Sequence, residues 1–420
     1  MTMIKKFNLL LKAPKRKEYF DWSLFLITML LLLIGLMALY SATTEEGKSY
    51  EFNKQLIAAF LSLGSMFFFI YISDKYISAV SFGLYIISIV LLVLVLLFGE
   101  VRHNTRGWLS LGSMQFQPSE LAKFTTILMI ARYLSRKGTN IKSIRDFAVV
   151  LAYVALPILL IALEPDFGTA FVFIAAFVGI LFWTGFDLYF LLLLISIPIV
   201  FMASMISFGA TIIITVLLTI FVVLLKKKIY ATIIFIIIII AIGIYSPKIV
   251  DVMFQHQKDR ITAFLNPSED IQKKGWNVVQ SKLAIGSGGV LGKGFMSGTQ
   301  TRLGYVPSQK NDFIFSVPAE EFGFLGSILV LGLFTAFIIR IINIASEIEL
   351  VFYKLASVGF ATILFYHIVV NIGMAIGLMP VMGIPLPFFS MGGTALITCF
   401  SMVGIILGGY RHHRRKKEYS

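Results

Sequence analysis

Long apolar runs separated by short polar stretches make up most of the chain. The runs from Trp22 to Tyr40 and from Ala231 to Tyr245 contain no charged residue. Roughly 20 apolar residues in a helix cross the hydrocarbon core of a bilayer. Lipid requires each backbone N–H and C=O to be satisfied within its own helix, and the alternation typical of β-barrel strands is missing from the sequence. The pattern predicts an all-α polytopic membrane protein with about 10–12 transmembrane helices and one long extracytoplasmic loop.

About twelve apolar segments can be placed along the chain. They are 22–41, 54–73, 77–98, 119–134, 147–163, 167–184, 187–205, 208–225, 229–246, 313–340, 354–378 and 388–409. They divide the chain into five parts: a basic cytoplasmic segment 1–21, membrane helices 22–246, an extracytoplasmic loop 247–312, membrane helices 313–410 and a basic cytoplasmic tail 411–420. The first segment is too long for a signal-peptide core, so it is expected to remain as an anchor.

Composition supports a membrane protein, with 58% hydrophobic and only 14% charged residues, against about 25% charged in soluble domains. The net charge of +14 raises the possibility of nucleic-acid binding. However, the basic runs Lys12 to Lys17, Lys226 to Lys228 and Arg411 to Lys417 all flank apolar segments. That distribution is the positive-inside signal, and it predicts that both termini are cytoplasmic. The basic tail also has the charge to contact anionic lipid head groups.

With the N-terminus inside, the long loop 247–312 lies outside. It carries nine basic and five acidic residues, a net charge of +4. Two interpretations remain open: a solvated surface facing head groups, or a surface that binds an anionic ligand at the outer leaflet. The single cysteine, Cys399, excludes an intrachain disulfide, and the five histidines show no metal-ligand spacing.

Charged residues within or beside membrane helices are costly, so each one needs a partner or a function. Glu120 suits the start of a helix after Pro118, but Lys123, one turn further, is not explained by capping. The two side chains share a helix face and can form an ion pair. Because desolvation offsets much of the attraction in a buried pair, a functional site is favoured here.

Three other stretches hold candidate residues. Asp166 lies in a tight outer turn and can act as a helix N-cap. Asp312 stands at the start of a helix that continues to Glu320 and Glu321, and it could act only as the cap of that helix. Pro318, between Asp312 and Glu320, is expected to kink the helix. Carboxylates at two depths on one helix suggest a polar cavity that opens outward.

The third stretch is rich in glycine, from Gly286 to Gly294, and contains Lys293. It fails the phosphate-loop pattern at both ends, because Ser287 and Gly294 stand where that pattern needs Gly and Ser or Thr. Its backbone amides could still cradle a phosphate near Lys293.

Taken in order, these stretches resemble the SEDS family of cell-wall polymerases, its elongation branch more than its division branch. The matching stretches are Arg106-Gly107-Trp108-Leu109, Gln117-Pro118-Ser119-Glu120-Leu121-Ala122-Lys123, Glu164-Pro165-Asp166-Phe167-Gly168-Thr169-Ala170, Arg260 to Asn266-Pro267, Gln280-Ser281, Ala284-Ile285-Gly286-Ser287-Gly288-Gly289, Gly298-Thr299-Gln300, Asp312-Phe313-Ile314-Phe315, Glu320-Glu321-Phe322-Gly323-Phe324 and Gly383-Ile384-Pro385-Leu386-Pro387-Phe388-Phe389-Ser390-Met391-Gly392-Gly393. Two features depart from the family. Lys310-Asn311 stands where it usually shows His-Thr, and 208–225 with 229–246 exceed its ten-helix design.

The resemblance implies a peptidoglycan glycosyltransferase of the bacterial cytoplasmic membrane. It would polymerise lipid II at the outer leaflet during cell elongation, with a class B penicillin-binding protein as partner in an elongation complex. It also implies Asp312 as the catalytic general base. The substrate-binding candidates are Arg106, Glu120, Lys123, Asp166, Arg260, Lys293, Gln300, Glu320 and Glu321. No metal ligand is expected, and a divalent cation such as Mg²⁺ at the pyrophosphate is left open.

Two other functions fit many helices with buried charges. A transporter that flips lipid-linked precursors would spread its charges through the bilayer to both faces. Here the candidate charges gather on one side, which favours catalysis at one leaflet. A non-catalytic scaffold for a penicillin-binding protein would tolerate substitution of Asp312 and of the Glu120–Lys123 pair.

Overall fold

The computed structural model describes residues 19–44, 49–102, 105–111, 114–225, 229–252, 264 and 274–419. In these ranges it has fourteen helices and three short strands. The elements are α1 (Trp22–Thr44), α2 (Ser49–Tyr71), α3 (Asp74–Phe98), β1 (Glu100–Arg102), β2 (Thr105–Leu111), β3 (Met114–Phe116), α4 (Pro118–Leu134), α5 (Ile144–Leu163), α6 (Phe167–Trp183), α7 (Leu188–Ile206), α8 (Phe208–Leu224), α9 (Ile229–Val252), α10 (Lys274–Ser287), α11 (Thr299–Arg302), α12 (Ser316–Glu347), α13 (Val351–Ala375) and α14 (Gly393–Tyr419).

A helix stands at each of the twelve predicted apolar segments. Seven helices of the described ranges are long and apolar enough to span a bilayer. The chain is therefore a multi-pass helical membrane protein, as predicted. The bounds differ at a few ends: α9 continues to Val252, beyond the predicted end at 246, and α12 continues to Glu347.

The segment between α3 and α4 folds into a small antiparallel sheet that the all-α prediction missed. Its strand order is β1-β2-β3, with Glu100 opposite Trp108 and Leu109 opposite Phe116. These strands are 3–7 residues long, too short for a hydropathy pattern to reveal. The sheet carries Arg106 and Gly107 on its middle strand.

α13 and α14 are the most buried of the spanning helices described, each with 78% of its most apolar stretch buried against 22% for α5. α14 packs closely on α2 because two of its glycines leave room for the neighbouring backbone. A Cβ at Gly404 would lie 2.6 Å from Met66 O, and one at Gly408 would lie 2.8 Å from Phe69 O. Any larger residue at these positions would push the two helices apart.

α7, α8 and α9 form a separate cluster beside the main core. Its buried members are Tyr189, Val200, Val222, Phe235 and Ile239. The pair of helices that exceeds the family design, α8 and α9, thus packs with α7 and adds nothing to the core around the candidate residues.

α12 is broken at Gly323, which has φ 62° and ψ −153°. The predicted kink at Pro318 is wrong. Pro318 is the third residue of the helix, in the first turn, where its missing N–H costs no hydrogen bond. With a positive φ and an extended ψ, Gly323 adopts a conformation that residues with a Cβ rarely take.

Candidate functional site

Asp312 lies in a short irregular segment that is bound to the Gly383–Gly393 stretch. Ser390 Oγ donates to Asn311 O at 2.7 Å, and Met391 N donates to Lys310 O at 2.8 Å. Asn371 on α13 donates from Nδ2 to both Asp312 O at 3.0 Å and Ile384 O at 2.8 Å. Asp312 is half-buried, and α12 begins only at Ser316, so capping that helix is not its role.

The first two helices hold the same segment from the other side. Lys310 Nζ lies 2.6 Å from Glu51 Oε2 on α2, and Gln309 Nε2 donates to Ala42 O on α1 at 3.2 Å. Gln55 of α2 bonds the Ser390 carbonyl at 3.3 Å. Lys310, one of the two departures from the family pattern, therefore belongs to an ion pair that fixes the position of the segment.

Glu120, Lys123 and His367 form a buried polar chain in the bundle interior. All three are at most 4% exposed. Lys123 Nζ is 2.7 Å from Glu120 Oε1 and 3.2 Å from His367 Nε2, and His367 Nδ1 is 3.1 Å from Pro385 O. A lysine ammonium only donates hydrogen bonds, so His367 accepts at Nε2 and donates from Nδ1. The predicted ion pair is present.

His367 was missed as a site residue because its partners are distant in sequence. It stands one helical turn before Asn371 on α13, at about 1.5 Å rise per residue. The same face of α13 therefore contacts Lys123 through His367 and the backbone of Asp312 through Asn371. Asn371 is fully buried, and a lone His or Asn in an apolar run gives no sequence signal of such contacts.

Glu320 is fully buried and is surrounded by hydrogen-bond donors. Its carboxylate accepts from Lys293 Nζ at 2.6 Å, Thr299 N at 2.8 Å, Gln300 N at 2.9 Å, Thr301 N at 2.9 Å and Thr301 Oγ1 at 2.8 Å. The carboxylate thus binds the backbone N–H groups at the start of α11, where a helix favours negative charge.

Lys293 uses the three donors of its ammonium group within the protein. Besides Glu320, they reach Ser287 Oγ at 2.7 Å and Thr299 Oγ1 at 2.6 Å. Lys293 and Glu320 together fix the loop between α10 and α11.

Glu321 connects that loop to α1. It accepts hydrogen bonds from Ser41 Oγ and, at 3.1 Å, from Met296 N. Its other oxygen is buried and has no hydrogen-bond partner within the described residues. Because Ser41 and Ala42 are neighbours, the end of α1 holds both Glu321 and the segment before Asp312. The polar cavity expected around Glu320 and Glu321 is not what the structure shows, since both carboxylates are buried against protein donors.

The glycine-rich stretch packs backbone to backbone on the break in α12. A Cβ at Gly292, which has φ +80°, would lie 2.1 Å from Glu321 O. The amides of Lys293 and Gly294 donate to the carbonyls of Glu320 at 3.2 Å and Glu321 at 2.9 Å. These two amides are therefore committed to the fold, which argues against the phosphate cradle considered from the sequence.

Gly292→Ala is expected to lower the melting temperature far more than Gly289→Ala. Both positions have positive φ, which costs about 1–2 kcal/mol for alanine. Only at Gly292 would the new methyl group meet backbone, whereas nothing lies within 4 Å of a Cβ at Gly289. Thermal unfolding of the detergent-purified variants measures the difference. Equal melting temperatures would contradict the packing described here.

Asp166 caps α6: its carboxylate accepts from Thr169 N at 3.1 Å and from Thr169 Oγ1 at 2.7 Å. Beside it, Glu164 is only 1% exposed, and its Oε1 has no hydrogen-bond partner within the described residues. Burial, helped by the nearby Asp166 charge, raises the pKa of Glu164 to about 9. Glu164 Oε2 would lie 3.5 Å from a Cβ at Gly107, so this carboxyl faces the middle strand of the sheet.

Glu164→Gln is expected to flatten the dependence of stability on pH. A carboxyl whose pKa rises from 4.5 to about 9 on folding is protonated in the folded state and ionised in the unfolded state between these values. Stability then falls as pH rises through that window, by at most about 1.4 kcal/mol per pH unit. Melting temperatures from pH 5 to pH 9 measure the slope. Glu349→Gln, at a side chain 65% exposed, should leave the slope unchanged, and an unchanged slope in Glu164→Gln would refute the assignment.

The remaining candidates are only partly located. Arg106 belongs to β2, but its side chain is outside the described part of the structure, as is the whole of Arg260. Gln300 is half-buried in α11. The described residues contain no group of three or more His, Cys, Asp or Glu arranged for a metal ion.

Comparison with known proteins identifies the family. The FTSW_RODA_SPOVE family model, described as "Cell cycle protein", matches residues 21–210 and 188–415. The chain is 32% identical over 398 residues to the peptidoglycan glycosyltransferase MrdB of Escherichia coli (strain K12), covering 95% of each protein. It is 30% identical over 424 residues to the peptidoglycan glycosyltransferase RodA of Treponema pallidum (strain Nichols), covering 92% of this chain and 96% of the relative.

Two solved structures superpose on this chain over nearly its full length. A chain from a peptidoglycan synthase complex that coordinates polymerization and crosslinking superposes with a TM-score of 0.72 at 26% identity, covering 94% of this chain and 98% of that one. The rod shape determining protein RodA of Thermus thermophilus gives 0.63 at 26% identity, covering 94% and 97%. With matches of this extent in both sequence and structure, the chain belongs to the FtsW/RodA/SpoVE family of cell cycle proteins.

Proposed function

We propose that this chain is a peptidoglycan glycosyltransferase that polymerises lipid II into glycan strands at the outer leaflet during cell elongation. One observation carries the proposal. The backbone of Asp312 is held by Asn371 of α13, which lies one helical turn from His367, the residue that contacts Lys123. A half-buried carboxylate and a buried cation, each connected to the same helix, supply the two charges that a transfer reaction with an anionic leaving group requires. The names of the relatives point to the same activity.

The chemistry assigns a role to each charge. A sugar hydroxyl of one lipid-linked chain attacks the anomeric carbon of another, and the bond from that carbon to the pyrophosphate oxygen breaks. Asp312 takes the proton of the attacking hydroxyl as general base. An α-linked donor that gives a β-linked product requires one inverting displacement. Pyrophosphate leaves as a stable anion, so cations replace the second carboxylic acid that a glycoside hydrolase needs.

Arg106, Lys123 and Arg260 are the proposed cationic contacts for the pyrophosphate or the sugars. Lys123 is held in place by Glu120 and His367, which occupy two of its three donors. A fixed cation needs little reorganisation when charge develops on the leaving group.

Lys293, Gln300, Glu320 and Glu321 take a different role from the direct contacts expected from the sequence. Their hydrogen bonds lie within the protein and link the loop before α11 to α1 and α12. They are proposed to position this loop beside the site. Asp166, as the cap of α6, is proposed to fix the outer turn that carries Glu164.

The proposal includes the setting of the enzyme. Both termini lie in the cytoplasm, and the protein spans the bacterial cytoplasmic membrane with the Asp312 end of the bundle facing outward. A class B penicillin-binding protein is the proposed partner within an elongation complex. The solved relative from a complex that coordinates polymerization and crosslinking supports a partner of this kind.

Reconstitution separates polymerisation from lipid transport. The purified chain is placed in liposomes with fluorescent lipid II, with and without a class B penicillin-binding protein. Glycan chains are read on a gel, and transbilayer movement is read from the accessibility of the fluorophore to an external quencher. Polymer is the expected product. Lipid movement without polymer, with the partner present, would overturn the proposal in favour of a flippase.

A further inference from the structure

A second candidate site, aromatic and bordered by two arginines, lies at the end of the bundle opposite Asp312. There the start of α1, the end of α2 and the end of α14 border an open cavity of about 370 Å³. Its lining combines aromatic rings with two arginines: Tyr19, Phe20, Trp22, Phe25, Phe67, Tyr71, Arg411 and Arg415. None of these residues has a part in the proposed transferase reaction.

The packing of α14 on α2 fixes one of the arginines. The close approach at Gly408 brings Arg411 beside the last turn of α2. Its guanidinium lies 4.3 Å from the centre of the Tyr71 ring, and NH1 donates to Ile70 O at 3.3 Å. Arg415 stands four residues later, on the same helix face, and is exposed. Two guanidinium groups thus border one cavity.

The apolar wall is built from aromatic contacts at the start of α1. Phe20 and Trp22 meet at 4.8 Å between ring centres, and Trp22 and Phe25 meet at 5.9 Å. Trp22 nevertheless remains 55% exposed and Tyr71 65% exposed. Aromatic residues with one edge exposed to water are typical of the head-group region of a bilayer.

We propose that this cavity binds the phosphate head group of an anionic phospholipid such as phosphatidylglycerol. The two arginines supply forked donors for phosphate oxygens, and the aromatic wall contacts the start of the acyl chains. A basic segment would be repelled from the same place. Residues 1–18, with six Lys or Arg and one Glu, therefore do not suit the cavity as its occupant.

The test compares lipid retention between charge-matched variants of the full chain. Wild-type protein in mixed micelles of detergent with phosphatidylglycerol and phosphatidylcholine is examined by native mass spectrometry. Arg411→Gln with Arg415→Gln is the test variant. Lys416→Gln with Lys417→Gln is the control, because it removes two positive charges from the same helix outside the cavity. Gel filtration compares the elution of each variant with that of wild type as a check on folding. If the double variant elutes differently, Arg415→Gln alone takes its place as the test variant.

We expect wild type and control to retain phosphatidylglycerol selectively. The test variant should lose roughly 25-fold in that preference, about five-fold for each arginine. An equal loss in both double variants would overturn the proposal, because it would show diffuse attraction to the tail. Selectivity that appears only after removal of residues 1–18 would also overturn it, since that segment would then be the occupant.

Discussion

Asp312→Asn is expected to lower the rate of lipid II polymerisation by at least about 100-fold while leaving expression and membrane insertion intact. An amide has the size of the carboxylate but cannot take a proton from the attacking hydroxyl, and general base catalysis contributes about 10²–10⁴-fold. The backbone carbonyl of Asp312, which accepts from Asn371 at 3.0 Å, is unaffected by the change. The local fold is therefore retained, and the loss reports on chemistry.

The matched control is Asp187→Asn. Asp187 caps α7 by accepting from Tyr189 N at 3.0 Å, and asparagine caps a helix about as well as aspartate. Polymerisation by this variant should match wild type. Normal activity in Asp312→Asn, measured with the same lipid II preparation, would remove Asp312 from the mechanism.

Lys123→Met is expected to damage both stability and activity, and the two effects can be separated by a second substitution. The change leaves the Glu120 carboxylate, 3% exposed, without its cation at 2.7 Å. Breaking a buried pair in this way costs about 3–5 kcal/mol. Replacing both charges, with Glu120→Gln and Lys123→Met, removes the buried anion and should restore most of the melting temperature.

Activity should stay low in the double variant, because the fixed cation is proposed to act on the pyrophosphate. Thermal unfolding and polymerisation are measured on the same purified samples. A double variant that recovers both stability and polymerisation would show that Glu120 and Lys123 only hold the bundle together.

Local patterns in the sequence predicted much of this molecule. Apolar length alone placed the twelve helices, because the bilayer fixes the length of a spanning helix. The three-residue spacing of Glu120 and Lys123 was enough to predict their ion pair. Asp166 was recognised as a possible cap from its place in a tight turn.

Contacts between distant parts of the chain could not be predicted in the same way. His367 lies 244 positions from Lys123, and no local pattern joins them. The sequence predicted that Glu320 contacts the substrate. Its partners in the structure, Lys293 and residues 299–301, lie about 20 or more positions away along the chain, so no local pattern revealed them. The break in α12 was assigned to Pro318 by a local rule, whereas Gly323 is required by the close approach of Gly292, whose N would lie 2.3 Å from a Cβ there.

The most direct test of the central claim is whether the purified chain, reconstituted with a class B penicillin-binding protein, makes glycan polymer. Wild-type protein, reconstituted with the proposed class B penicillin-binding protein partner and labelled lipid II, should yield polymer on a gel that a muramidase specific for β-linked glycan digests completely. The same mixture with Asp312→Asn should form polymer at least about 100-fold more slowly. Failure of the wild-type mixture to form such polymer, or its formation at an equal rate with Asp312→Asn, would contradict the account.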